Sequence, residues 1–272
     1  MKKIILLVIL YSLNIQCQIF DSPYPGYRFS NFDNTPASDL AKAVKEENIK
    51  KISKIIKVNP ELIEYQDPIW GRNLLCLSIV NNKREAFKTL LANGANVDGV
   101  CGKRDVTTPL IAAINYLDNC DAFFVKELLK NNCDVNLKAV TINEKGLIAE
   151  DLPLFSSVDA RTNKGEVCTE ISRILINNGA NLNATIQRFP YKKPFTIVDV
   201  SLKYLDFDLL LYLFSEDKIE IPEFIEHETI EGITKVDFIE YLNFDKFTNV
   251  GSSEFQIKRE KLIELIKEKQ KK

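Results

Sequence analysis

The sequence predicts an all-α fold of stacked antiparallel helix pairs, about five to six in number, joined by short finger loops. Three observations carry this expectation. First, one helix-stop signal recurs, as Ala92-Asn93-Gly94-Ala95-Asn96-Val97-Asp98, Asn131-Asn132-Cys133-Asp134-Val135-Asn136 and Asn177-Asn178-Gly179-Ala180-Asn181-Leu182-Asn183. A Gly or Asn just after an apolar run is a helix C-cap, where the backbone turns left-handed. Second, a helix-start signal lies roughly two helices upstream of each stop, most clearly Thr108-Pro109-Leu110-Ile111-Ala112-Ala113. Here Thr can cap, Pro fits the first turn, and Leu and Ala face inward. Third, apolar helical runs such as Thr89-Leu90-Leu91, Glu127-Leu128-Leu129 and Ile174-Leu175-Ile176 precede the stops. A two-helix unit cannot bury its apolar faces alone, so stacking on neighbours must complete the core.

These segments resemble the ankyrin repeat, whose pattern runs T-P-L-H-x-A, then a second helix ending in L-L, then G-A-D-V-N. On that resemblance the repeats start near Ser38, Asn73, Thr108, Leu152 and Lys193, spaced 35, 35, 44 and 41 residues apart, against a family period of about 33. The resemblance implies a solenoid with an extended binding groove. It is strongest in the second, third and fourth copies, within an overall span of 38–269.

In chain order, residues 1–17 read as a secretory signal peptide: Lys2 and Lys3 precede an apolar run over 4–13, too short to span a bilayer. Cys17 is the alternative site of a lipid anchor, although Gln16 is large for a lipobox; a buried first helix is a further alternative. Residues 18–37 carry Phe20, Tyr24, Tyr27, Phe29 and Phe32, expected to dock on the first repeat as a cap rather than lie free as a linker. The repeats fill 38–221. The first is degenerate, ending in Asn59-Pro60-Glu61-Leu62. The third and fourth carry insertions around 117–121 and 156–165, and the fourth has a long approach over 140–151. The fifth keeps Pro194-Phe195 and Leu209-Leu210-Leu211, with Phe214 where Gly belongs. Residues 222–272 read as a worn sixth helix pair, over 234–242 and 253–269, with Phe255, Leu262, Ile263 and Ile266 on one face of a capping helix.

Composition excludes more than it assigns. At 45% hydrophobic and 27% charged the chain is too apolar to be disordered. A net charge of −2 gives no reason to expect nucleic acid as a partner. The single histidine, His227, removes every two-His zinc motif and leaves one residue for any catalytic triad. In Ile225-Glu226-His227-Glu228-Thr229 it reads as part of a solvated connector, with a hydrolase as the remote alternative. No phosphate loop, nucleophile elbow or CxxC is present. No cofactor, metal site or catalytic residue is expected, and beyond the leader no segment is long and apolar enough to be an integral membrane span.

No repeat keeps the histidine of T-P-L-H: Cys76, Ile111, Phe155 and Thr196 stand in its place in the four later copies. Cys76 and Cys133 read as small buried hydrophobes, whereas Cys101 and Cys120 are better placed for disulfides. With Cys168 they make an odd number beyond the leader. The leader, together with 28 lysines against eight arginines, points to an exported protein of an AT-rich bacterium, periplasmic or at the cell surface.

The resemblance implies a non-enzymatic protein that binds another protein through finger tips and the exposed face of each first helix. Carried over by position, those residues are Ile69, Trp70, Arg72 and Asn81 in the second copy, Arg104, Asp105 and Tyr116 in the third, and Phe189, Tyr191 and Lys192 in the fifth. Trp, Tyr and Arg are the types that most often anchor interfaces. Packing of Trp70 against Pro68 or the next finger is the structural alternative for that residue. Two specific versions of the function are an immunity protein or inhibitor against an envelope-targeting toxic effector, and an envelope scaffold.

Overall fold

The structure, a computed structural model, describes residues 21–103, 106–116, 119–142, 146, 148–161, 165, 167–229, 232–249 and 251–271. The leader, Cys17 as a lipid anchor, and Arg104 and Asp105 lie outside the described residues. Among the described residues the chain divides into two compact units. The first reaches to Tyr116 and takes in Phe123–Cys133; the second holds the remainder.

The first unit contains three helix pairs: α1 (Ser38–Lys45) with α2 (Ile49–Val58), α3 (Leu74–Val80) with α4 (Arg84–Ala92), and α5 (Pro109–Asn115) with α6 (Phe123–Lys130). The first helices pack in a row, α1 on α3 and α3 on α5, and α2 packs on α4. Their facing sides supply the core: Leu40 and Val44, Leu74 through Leu77, and Leu110 through Ile114, over a second row that includes Ile52, Phe87, Leu90 and Leu128. Asn73 and Thr108 cap α3 and α5 by accepting from the amides of Cys76 and Ile111.

The second unit contains α7 (Pro153–Asp159) with α8 (Thr169–Asn177), and α9 (Ile197–Lys203) with α10 (Phe207–Ser215). A short α11 (Phe238–Leu242), α12 (Asp245–Thr248) and the long α13 (Ser253–Gln270) follow. α13 packs on α10 and α11, burying Leu262 and Ile266 and stacking Phe255 on Phe207 at 4.8 Å.

The all-α expectation needs correcting in two places. The approach at 140–151 is an antiparallel hairpin, β1 (Ala139–Ile142) with β2 (Ile148–Asp151). The stretch expected to be a connector and the start of a sixth helix is a second hairpin, β3 (Phe224–Thr229) with β4 (Gly232–Asp237). Alternation explains the second: Ile225 is buried while its neighbours Phe224 and Glu226 are exposed, the period of a half-buried strand. The helix expected over 234–242 therefore begins only at Phe238, where Asp237 caps it.

Every helix pair but the first uses a left-handed residue after its second helix: Gly94, Asn132, Gly179 and Asp217, with φ of +93°, +59°, +91° and +49°. Two residues beyond three of these stops, Asn96, Asp134 and Asn181 accept at 3.0, 2.8 and 3.0 Å from the amide two positions on. This local turn needs a short side-chain acceptor, which is why Asn or Asp recurs there.

The fifth copy is offset by three residues from the expected register. Thr196 occupies the capping position, not the histidine position, and makes a reciprocal capping box with Asp199. Asp199 thus stands in the histidine's place. The paired apolar residues before the stop are Leu213-Phe214, and Asp217, not Phe214, takes the left-handed position, since the amides of Asp217 and Lys218 bond back to Phe214 and Leu213. The start near Lys193 is corrected accordingly: Pro194-Phe195 imitates the motif but belongs to the finger, where Phe195 bridges Ile186.

Candidate protein-binding face

The finger between the first and second pairs is organised by one buried carboxylate. Asp67 is fully buried and accepts from the amides of Ile69 (3.0 Å), Trp70 (2.6 Å) and Arg72 (2.8 Å). A carboxylate satisfies several amides that point the same way, so this Asp fixes a tight turn with Ile69 outermost, 64% exposed. Gly71 adopts φ +69°, and a Cβ there would collide with the Lys103 side chain.

The next finger runs alongside the first. Lys103 and Gly102 donate their amides to the carbonyls of Trp70 and Gly71 at 2.9 and 3.0 Å. A disulfide from Cys101 to Cys76 on α3, with Cα atoms 6.1 Å apart, anchors this second finger to the helix below it. Cys76 is therefore more than a small buried hydrophobe: its place in the helix lies under the following finger. A second disulfide joins Cys120 to Cys168, Cα atoms 5.5 Å apart. Cys133 is buried and belongs to neither bridge.

The N-terminal segment docks onto the first unit. Phe29 and Phe32 are buried in a short helical turn against α1. Before them, residues 22–27 form an arm. Asp21 holds its base, accepting from the amides of Phe29 (2.9 Å) and Ser30 (2.8 Å) with Lys45 at 3.9 Å. Arg28 ties the arm back on itself by donating to the carbonyls of Ser22 and Pro23 at 2.8 and 3.0 Å. Burial pulls the Asp21 carboxyl upward, but the hydrogen bonds from Ser30 and Phe29 and the Lys45 charge outweigh it, leaving Asp21 below the usual carboxylate range.

The arm lies on four of the residues singled out from the sequence. Tyr27 makes a T-shaped ring contact with Tyr116 at 5.1 Å, and their hydroxyls hydrogen-bond. Its ring covers the Arg72 guanidinium at 4.9 Å, and its carbonyl accepts from Asn81 at 2.9 Å. Gly26 rests against the Trp70 indole. Trp70, Arg72, Asn81 and Tyr116 thus share one face, with Ile69 beside it at the finger tip. The Trp70 backbone amide, through its bond to Asp67, helps to hold the finger turn. A cavity of about 550 Å³ opens beside the arm, lined in part by Asp21, Tyr27, Lys45, Asn81, Lys83 and Tyr116. Tyr27 is the member of this group that the repeat register does not reveal.

Phe189, Tyr191 and Lys192 lie in a finger of the second unit and are described separately. Phe189 is exposed, and Tyr191 packs edge-on against Phe195 at 4.9 Å with the Lys203 ammonium 4.7 Å from its ring centre. The Lys192 amide donates to the Glu228 carboxylate of β3 at 3.2 Å. A cavity of about 400 Å³ adjoins them, with His227, Tyr241 and Lys246 in its wall. His227 makes ring contacts with Tyr241 and Phe244. Burial, with the Lys246 and Lys193 charges, holds its pKa below the ordinary value. Burial and Asp199 push the Tyr241 hydroxyl up to about 12. Among the described residues no cluster of His, Cys, Asp or Glu could hold a metal ion, and no helix is long and apolar enough to cross a membrane.

Residues 40–139 match the family model for ankyrin repeats, in three copies. No curated protein matches the chain. Ankyrin repeats are generally protein–protein interaction modules, the role that a face of aromatic, guanidinium and amide groups on a rigid scaffold suits.

Proposed function

We propose that this chain is an exported, non-enzymatic binding protein whose partner docks on the face formed by Trp70, Arg72, Asn81 and Tyr116, with Phe189, Tyr191 and Lys192 as contact residues of the second unit. The observation that carries the reading is the convergence of those four side chains, from one finger and two helix ends, on ankyrin repeats. A surface held by buried hydrogen bonds and a disulfide loses little freedom on binding, so more of its contact energy appears as affinity. The two disulfides support export, because thiols stay reduced in a mesophile's cytosol. The basic-then-apolar leader over 1–17 supports it too.

The test is affinity capture from the native envelope with wild type and with a Trp70→Ala/Arg72→Ala variant, helical content being checked by circular dichroism. Loss of the captured protein with the fold intact is the expected result; equal capture by both would overturn this placement. One tight partner would favour an inhibitor, several held together a scaffold.

A further inference from the structure

The face that binds the partner is already occupied by the chain itself. We propose that residues 22–27 are an intramolecular stand-in for the partner, and that the partner displaces them with an extended segment bearing an aromatic ring and, where Gly26 lies, a carboxylate. This rests on the reading of that face as the partner site.

The arm makes the contacts an interface ligand would make. Tyr27 lays its ring on Arg72, meets the Tyr116 hydroxyl and gives its carbonyl to Asn81. Yet the seat is incomplete. Arg72 is 6% exposed, and its Nε is buried without a hydrogen-bond partner. A buried guanidinium N–H left unpaired is costly, and a charged acceptor answers it best. The arm offers none, but a Cβ added at Gly26 would lie 3.7 Å from that Nε and 3.4 Å from the Trp70 ring, ordinary van der Waals contacts. Gly26 has no positive φ that would forbid one. A carboxylate carried there would reach Arg72, while an aromatic ring in place of Tyr27 kept the remaining contacts. In the cavity alongside, Lys45 faces Asp21 at 3.9 Å, and Lys83 is the further charge, which favours an acidic segment over a neutral one. The arm is also built to leave. Its tip is exposed, with Tyr24 65% accessible, while the buried Phe29 and Phe32 hold its base.

The test uses the full chain and two labelled peptides, Ser-Pro-Tyr-Pro-Gly-Tyr and its acidic form Ser-Pro-Tyr-Pro-Asp-Tyr. An Asp21→Ala/Arg28→Ala variant loosens the arm without touching the face. The acidic peptide should bind this variant at least tenfold more tightly than it binds wild type, and at least fivefold more tightly than the glycine peptide binds the variant. Adding Arg72→Leu should abolish the preference for the acidic form. Equal affinity for wild type and variant, equal affinity for the two peptides, or no binding at all would each overturn the proposal.

A second variant needs no peptide. Gly26→Asp in the otherwise natural chain should raise Tm by a few degrees and shift the emission of Trp70, the only tryptophan; an unchanged or lowered Tm would count against the carboxylate. The two readings fail separately. A partner captured through Trp70 and Arg72 but indifferent to the peptides leaves the binding face standing and removes the stand-in. Peptide binding as described, with partner capture unaffected by the Trp70→Ala/Arg72→Ala change, does the reverse.

Discussion

Cys101, in the finger between the second and third helix pairs, is bonded to Cys76 in the wall of α3, 25 residues earlier. The bond fastens a loop to the middle of a helix, and that loop in turn hydrogen-bonds to the Trp70-Gly71 backbone. Closing loops of 25 and 48 residues in the unfolded chain is worth roughly 3–4 kcal/mol each by chain entropy. Cys76→Ser/Cys101→Ser should therefore lower stability by about 3 kcal/mol in urea unfolding, and raise amide exchange in the second finger first. Thiol labelling of the unfolded, unreduced wild type should find only Cys133 among Cys76, Cys101, Cys120, Cys133 and Cys168. Finding all five reactive would refute both bridges.

Asp67 is the keystone of the first finger. Replacing it by Ala leaves the amides of Ile69, Trp70 and Arg72 without their acceptor. Leaving even one buried donor unpaired costs about 1–3 kcal/mol, so Asp67→Ala should lose about 3 kcal/mol and weaken partner binding beyond that loss. Asp67→Asn, which keeps one oxygen, should fall between. Urea midpoints of the three proteins test the order.

Acid should loosen the arm before it unfolds the repeats. The Asp21 pKa is lower in the folded state than in the unfolded one. Its contribution is thus fully present above the unfolded value near 3.8 and fades as pH falls through the lower folded value. The charged group that faces it is Lys45, at 3.9 Å. Trp70 emission, which senses Gly26, should change below about pH 4 while the far-ultraviolet signal persists, and Asp21→Asn should show the acid-type emission at neutral pH. Emission and helicity changing together in both proteins would contradict this.

Asp206 carries the opposite sign. It caps α10 and accepts from the Leu209 amide and the Thr169 hydroxyl, but its second oxygen is buried without a partner. Burial pushes its carboxyl up, against the pull of those two bonds. A raised folded pKa means stability that is complete below the unfolded value near 3.8 and is lost as pH rises through the folded value. Asp206→Asn should remove that loss. The difference in unfolding free energy between the variant and wild type should move in the variant's favour from pH 4 to pH 7; a difference independent of pH would contradict the assignment.

What could be read from the sequence followed local chemistry. The helix stops were legible because Gly94, Asn132 and Gly179 must turn left-handed, and the Asn or Asp two places on because it closes a turn with its own side chain. Where two residue sets satisfy the same rule, reading failed. Pro194-Phe195 imitates the repeat start, and only the Thr196–Asp199 capping box shows that α9 begins three residues later. The β3–β4 hairpin was hidden by its charged outer face, which looks like a solvated connector until the buried Ile225 gives the period. Trp70, Arg72, Asn81 and Tyr116 could be named from repeat register alone. Tyr27 could not, because 54 and 89 residues separate it from Asn81 and Tyr116, and no local rule spans such distances.

The arm and its anchor meet at a single residue. Tyr27 lies on the face, Phe29 is sealed under the first helix pair, and Arg28 alone stands between them. Guard and plug are thus neighbours on one short lever, and selection on either bears on the other. An inserted glycine after Arg28 would lengthen the lever without pulling the plug, making this joint the place where the face could be unlatched while the first helix pair stays sealed.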